Sequence, residues 1–152
     1  MTGTTQTISW DETARQTIEG ELAKVCAITT MRFAALGRIT DTHWIACQVD
    51  DRIDFGLTPG QEIELRMTVC DEVRRSGVPV VIDEVDTNPE WQEHPLALFY
   101  GFKSYVSLPV LRADGSLFGT LCALDVEPRT VSGSTIIAGL EASARRIAAL
   151  VE

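Results

Sequence analysis

The sequence predicts an α+β domain built on a mainly antiparallel sheet that lies as a middle layer with both faces covered. Three observations predict it. Helical periodicity occupies the two ends of the chain, hairpin patterns occupy much of the stretch between them, and the closing hairpin carries no charge on either side before Asp125. Tight hairpins require antiparallel neighbours, this element order is the α+β pattern, and a sheet apolar on both sides must be covered twice.

Ser9 followed by Glu12 has the form of a capping box, and Ile18, Leu22, Val25, Cys26 and Thr29 then recur at spacings of three and four. The reading is an amphipathic helix over 10–29. From Met31 to Val49 the pattern changes to period two and short apolar runs, "MRFAALGRIT" and "HWIACQV", parted by "DTH", which predicts a hairpin. A loop, "DDRIDFGLTPGQE", follows, then a short helix in "RMTVCDEVRRSG" stopped by Gly77, then a strand in "VPVVIDEV". Over 86–101 Asn88-Pro89 marks one helical start and Pro95 a second, with Gly101 as the stop, so this segment is a broken helix. After the closing hairpin, Ile136, Ile137, Leu140, Ala144, Ile147, Leu150 and Val151 form one stripe of a helix over 132–152. No capping residue closes it, so it either continues into an output module or ends with the chain. The whole of 1–152 reads as one domain, of a length that buries roughly two-thirds of its unfolded surface.

The closing hairpin fixes the facing of its residues. With Asp114-Gly115 as a two-residue type I′ turn, Ala113 pairs with Ser116. One side then holds Val106, Leu108, Val110, Gly119, Leu121 and Ala123. The other holds Tyr105, Ser107, Pro109, Leu111, Phe118, Thr120, Cys122 and Leu124. The aliphatic side suits the terminal helices. The mixed side, if covered by the broken helix, meets Trp91, His94, Phe99 and Tyr100, and its hydroxyls need partners there. Those partners are either a small ligand in an apolar cavity with convergent polar groups or backbone and ordered water.

Composition narrows the function. Thirteen Lys and Arg against 22 Asp and Glu leave a net charge of -9 with no basic run, so nucleic acid and anionic membrane are disfavoured partners. No apolar run is long enough to span a bilayer and the N-terminus has no signal-peptide pattern, which reads as cytoplasmic. Cys26, Cys47, Cys70 and Cys122 lie far apart with no close pair, which disfavours zinc, iron-sulfur and disulfide frameworks. Asp83 and Glu84 point to opposite faces and make no catalytic pair, and "GSLFG" sits at a hairpin, so it is no phosphate loop.

The stretches "TVCDEVRRSG", "SGVPVVIDEVDTNPEW" and "LFYGFKSYVSLPVLRADGSLFGTLCALD" resemble the GAF domains of bacterial sensor histidine kinases and related signalling proteins. The flanking helices and first hairpin fit the same order, so the resemblance covers essentially the whole chain. It implies a five- to six-stranded antiparallel sheet, terminal helices on one face that often mediate dimerisation, and a ligand pocket covered by short helices on the other. The expectation is a non-enzymatic sensory domain of a two-component or similar system, a homodimer through its terminal helices, its cofactor and ligand unknown. The expected ligand-binding residues are Trp91, His94, Phe99, Tyr105, Ser107, Thr120 and Cys122, with no catalytic or metal-binding residue. Trp91 and Phe99 are either stacking groups or core, and His94 is either a ligand donor or a surface histidine.

Two other readings follow from the same resemblance. Bilin-binding GAF domains attach their chromophore through a cysteine beside a histidine, where this chain has Glu93-His94. GAF-type reductases of free methionine sulfoxide need an exposed low-pKa thiolate with a second cysteine in reach. Only Cys70 and Cys122 are placed for that chemistry.

Overall fold

The computed structural model describes residues 11–65 and 68–151. Six strands, β1 (Phe33–Ile39), β2 (His43–Asp51), β3 (Glu62–Glu64), β4 (Val80–Ile82), β5 (Ser104–Leu111) and β6 (Leu117–Asp125), form one sheet in the order β3-β2-β1-β6-β5-β4. Every pairing is antiparallel. The helices are α1 (Glu12–Thr29), α2 (Cys70–Ser76), α3 (Pro95–Tyr100) and α4 (Ser134–Ala148), with a 3-10 turn at Val85–Thr87.

The two sides of the sheet divide as the hairpin register requires. Val106, Leu108, Val110, Leu121 and Ala123 join Ile18, Leu22, Val25 and Cys26 of α1 and Leu140, Ala144 and Ile147 of α4 in one core. Tyr105, Cys122 and Leu124 join Trp91, Ala97 and Phe102 from the 85–102 segment in a second core on the opposite side. Each fully buried Leu or Ile adds about 1.5–3 kcal/mol relative to an exposed one, so these cores hold the three layers together. α1 begins at Asp11, whose carboxylate accepts from the Ala14 N–H at 2.8 Å; Ser9 lies outside the described residues.

The hairpin turn differs from the expected two-residue form. The Arg112 N–H donates to the Ser116 carbonyl (2.8 Å) and the Gly115 N–H to the Arg112 carbonyl (2.9 Å), with Gly115 at φ +88°. This is a three-residue loop whose glycine takes the left-handed position. It shifts the pairing by one, so Leu111 faces Leu117, but Phe118 is an extra residue and Val110 again faces Gly119. The two offsets cancel, and Ser107 faces Cys122 as predicted. Phe118 is thereby turned from the mixed side into the helix-side core, under the Arg112 guanidinium at 5.5 Å.

Other boundaries also move. The loop read over 50–62 contains the start of β3, which carries a single apolar residue, Ile63, and exists by pairing with Trp44 and its neighbours. α2 starts at Cys70 and keeps its predicted end at Gly77, φ +72°. α4 stops at Ala148 because the last turn tightens, with Leu150 N–H donating to the Ile147 carbonyl, and Val151 is buried in the core.

Two buried carboxylates pin elements together. Asp125, at the end of β6, accepts from Arg32 through its backbone N–H (3.0 Å), Nε (3.1 Å) and Nη2 (2.7 Å), and from the Glu127 N–H (3.1 Å). Burial would raise its pKa, but these donors and Arg129 hold it down at about 2. Glu21 of α1 accepts from Ser143 (2.9 Å) and Arg146 (2.8 Å) of α4.

Candidate ligand-binding cavity

The second core is not completely filled. A cavity of about 60 Å³ lies between the sheet and its cover, space for a few water-sized molecules. Its sheet wall is Phe33, Trp44, Tyr105, Cys122 and Leu124; Thr68, Val69 and Cys70 close one side and Tyr100 and Phe102 another. Phe55, Leu57 and Ile63 stand at the mouth, where with Tyr100 they also line a surface groove of about 430 Å³.

Local sequence positions each wall. The mouth is held by Asp51, whose carboxylate accepts from the N–H groups of Ile53 (3.1 Å), Phe55 (3.0 Å) and Gly56 (2.9 Å). These amides outweigh the effect of burial and keep the Asp51 carboxyl below its ordinary value. The loop they order brings Phe55 against Phe33, with ring centroids 5.1 Å apart. α3 is set by Pro95 at its first turn, by His94 as N-cap and by Gly101 at φ +76°, which places Tyr100 and Phe102 against the cavity. Trp44 can lie flat beside β1 because Gly37 has no side chain; a Cβ there would occupy the Trp44 ring.

The polar groups converge on one sulfur. Cys70, at the start of α2, is 3.1 Å from the Thr120 hydroxyl, 3.4 Å from the Tyr105 hydroxyl and 3.7 Å from the Ser107 hydroxyl. Thr120 also accepts from Trp44 Nε1 at 3.0 Å and lies 3.9 Å from Cys122 Sγ. Hydrogen bonding from Cys122 does most to hold the Cys70 thiol below its ordinary pKa; burial opposes it and the three hydroxyls assist. Cys122 is pushed up by the same contact and by burial, and Tyr105 is pushed up by burial and the neighbouring sulfurs. Negative charge therefore settles on Cys70 first. By contrast Cys26 and Cys47, in the helix-side core, are raised by burial to about 11.

Of the seven residues expected to bind ligand, Tyr105 and Cys122 line the cavity. Ser107 and Thr120 are buried below it and act through Cys70 and Trp44. Trp91 is buried in the core with its ring 4.3 Å from that of His94. The His94 Nδ1 is occupied by the Leu96 N–H at 3.2 Å, the capping role. Phe99 is 73% exposed and lies on the outer groove. Neither His94 nor Phe99 reaches the cavity, because α3 has barely two turns and its inward positions go to Ala97 and Tyr100. The sequence reading leaves out Trp44, which pairs with Ile39 and whose ring lies over Gly37, with period-two facing in "HWIACQV" as the available signal; it also leaves out the mouth residues, which belong to a loop and to the three-residue β3.

Among the described residues, no charged side chain lines the cavity. Among these walls a buried zwitterion finds no ion-pair partner, and an unpaired buried charge costs several kcal/mol. A small, predominantly apolar molecule with one or two polar atoms matches the walls.

Comparisons with known proteins agree with the architecture. The family model described as GAF domain matches residues 12–151. The GAF region of a membrane protein of Geobacter sulfurreducens superposes with a TM-score of 0.73 at 15% identity, covering 91% of this chain and 93% of that one. A type II free methionine-R-sulfoxide reductase of Thermoplasma acidophilum gives 0.70 at 19% identity, with 92% and 93% covered. The chromophore-binding domain of a Stigmatella aurantiaca phytochrome gives 0.72 at 14% identity, over 95% of this chain and 55% of that one. No curated protein matches.

Proposed function

Since the chain belongs to the GAF family, a sensory ligand-binding fold of signalling proteins, we propose that it is a regulatory module rather than an enzyme and binds a small, mainly apolar, planar molecule. The observation that carries this reading is the aromatic cavity under α2 and α3, whose described lining carries no charged side chain and which opens toward a groove at Phe55 and Tyr100. The ligand enters there and packs between Phe33, Trp44 and Phe102, with Tyr105 or Cys70 meeting its polar atom. It acts through a higher affinity for one of two arrangements of the domain.

The reading extends to a cytoplasmic bacterial signalling protein of the two-component type, dimeric through α1 and α4. The acidic balance and four free thiols support the compartment. Ile136, Ile137 and Leu150, only partly covered at the edge of the helical layer, support pairing through that layer. Among the described residues no helix is long and apolar enough to cross a membrane.

A methionine sulfoxide reductase activity would require a charged amino acid to enter a space whose described lining carries no charge, and a bilin would require room for four rings. Native mass spectrometry of the protein as purified tests the proposal. An added mass of a small organic molecule, lost in Leu57→Trp where the new ring plugs the mouth, is the expected result. Thioredoxin-dependent turnover of free methionine sulfoxide would overturn it.

A further inference from the structure

The polar floor of the cavity brings two thiols together that the chain keeps 52 positions apart, and ligand binding uses neither as a reacting group. Cys70 and Cys122 both line the cavity and both lie within reach of the single Thr120 hydroxyl, at 3.1 Å and 3.9 Å. All four cysteines of the chain are free thiols. Cys26 and Cys47 lie on the other side of the sheet, without access to the cavity. A space admitting a few waters admits a hydroperoxide of similar size.

We propose that Cys70 and Cys122 form a peroxide-responsive dithiol site that closes to a disulfide at the base of the cavity. Cys70 is the attacking sulfur, since three hydroxyls and the Cys122 thiol surround it and stabilise its thiolate. Its sulfur attacks one oxygen of the hydroperoxide; the S–O bond forms as the O–O bond breaks, and the departing oxygen takes up the thiol proton as water or alcohol. Cys70 is then a sulfenic acid. Cys122 attacks that sulfur, the S–S bond forms, and the sulfenic oxygen leaves with the Cys122 proton as water. Two thiols lose two electrons and the peroxide gains them. A small dithiol reverses the reaction by exchange. Because both sulfurs belong to the lining, the disulfide changes the shape of the floor that a ligand meets.

The site does not depend on which ligand binds, and each can fail without the other. The test treats the native protein with hydrogen peroxide, blocks remaining thiols with N-ethylmaleimide after denaturation and maps the peptides. A Cys70–Cys122 linked peptide is expected, with Cys26 and Cys47 alkylated and the link removed by dithiothreitol. Cys70→Ala should slow peroxide consumption at least about tenfold, and Cys122→Ala should leave a dimedone-trapped sulfenic acid on Cys70. Near-ultraviolet circular dichroism confirms that each variant is folded. Four alkylated thiols after peroxide treatment of the wild type, or first oxidation at Cys26 or Cys47, would overturn the proposal.

Discussion

Thr120→Val removes one hydroxyl while keeping the shape of the side chain, and the structure gives its cost from two bonds. Thr120 Oγ1 accepts from Trp44 Nε1 at 3.0 Å and donates to Cys70 Sγ at 3.1 Å, and the residue is fully buried. After substitution the Trp44 N–H is buried without a partner, a loss of about 1–3 kcal/mol. The added methyl recovers about 0.8 kcal/mol, so the net destabilisation is about 0.2–2 kcal/mol. For a domain of this length that lowers Tm by up to roughly 8 °C. Urea denaturation with unchanged m-value measures it. A Trp44→Phe, Thr120→Val cycle should show that the pair is coupled by about 1 kcal/mol, because the double variant leaves no orphaned N–H. Strict additivity in the cycle would refute the reasoning that Thr120 anchors the cavity wall.

The remaining predictions concern charge, turn and mouth. Asp125 titrates at about 2 in the folded protein against an ordinary 3.8; a lowered carboxyl stabilises the fold above the unfolded value, so about 2 kcal/mol is lost as pH falls from about 4 through about 2. In Asp125→Asn that acid dependence should disappear from the stability curve. Arg146→Met leaves Glu21 buried with only Ser143 and the exposed Lys24 beside it; a loss of about 1–3 kcal/mol is expected, larger at pH 7 than at pH 4, where the unpaired carboxyl can protonate. Gly115→Ala puts a side chain at φ +88° and should cost about 1 kcal/mol, whereas Gly133→Ala, with open space around it and an ordinary φ of -64°, should be neutral by the same denaturation assay. Asp51→Ala releases three amides that order the mouth and should weaken binding of indole, used as a planar apolar probe, at least about tenfold in calorimetry.

Regular elements were legible because their patterns are long and their faces opposed. The stripe Leu140, Ala144, Ile147 and the alternation Val106, Leu108, Val110 each determine which side is core, and both meet in one cluster. Even the misread turn left the register intact, since the Phe118 bulge cancels the extra loop residue; nothing in "RADGSLFG" distinguishes the two forms. The cavity was legible only where strand alternation reached it, at Tyr105 and Cys122. Its other walls come from a hydrogen-bonded loop around Asp51, a three-residue strand and the start of α2, whose positions depend on tertiary contacts that no local period encodes. The meeting of Cys70 with Cys122 is of this kind: β6 and α2 are brought together by packing alone.

The central claim is that a small apolar molecule occupies the space between the sheet and the α2–α3 cover. Titration of indole into isotope-labelled protein, followed by amide and methyl NMR, tests it most directly. Saturable shifts centred on Phe33, Trp44, Cys70, Tyr105 and Cys122, absent in Leu57→Trp, are predicted. Shifts confined to the surface at Pro79, Leu108 and Arg145 on the helix side, or none that saturate, would contradict it.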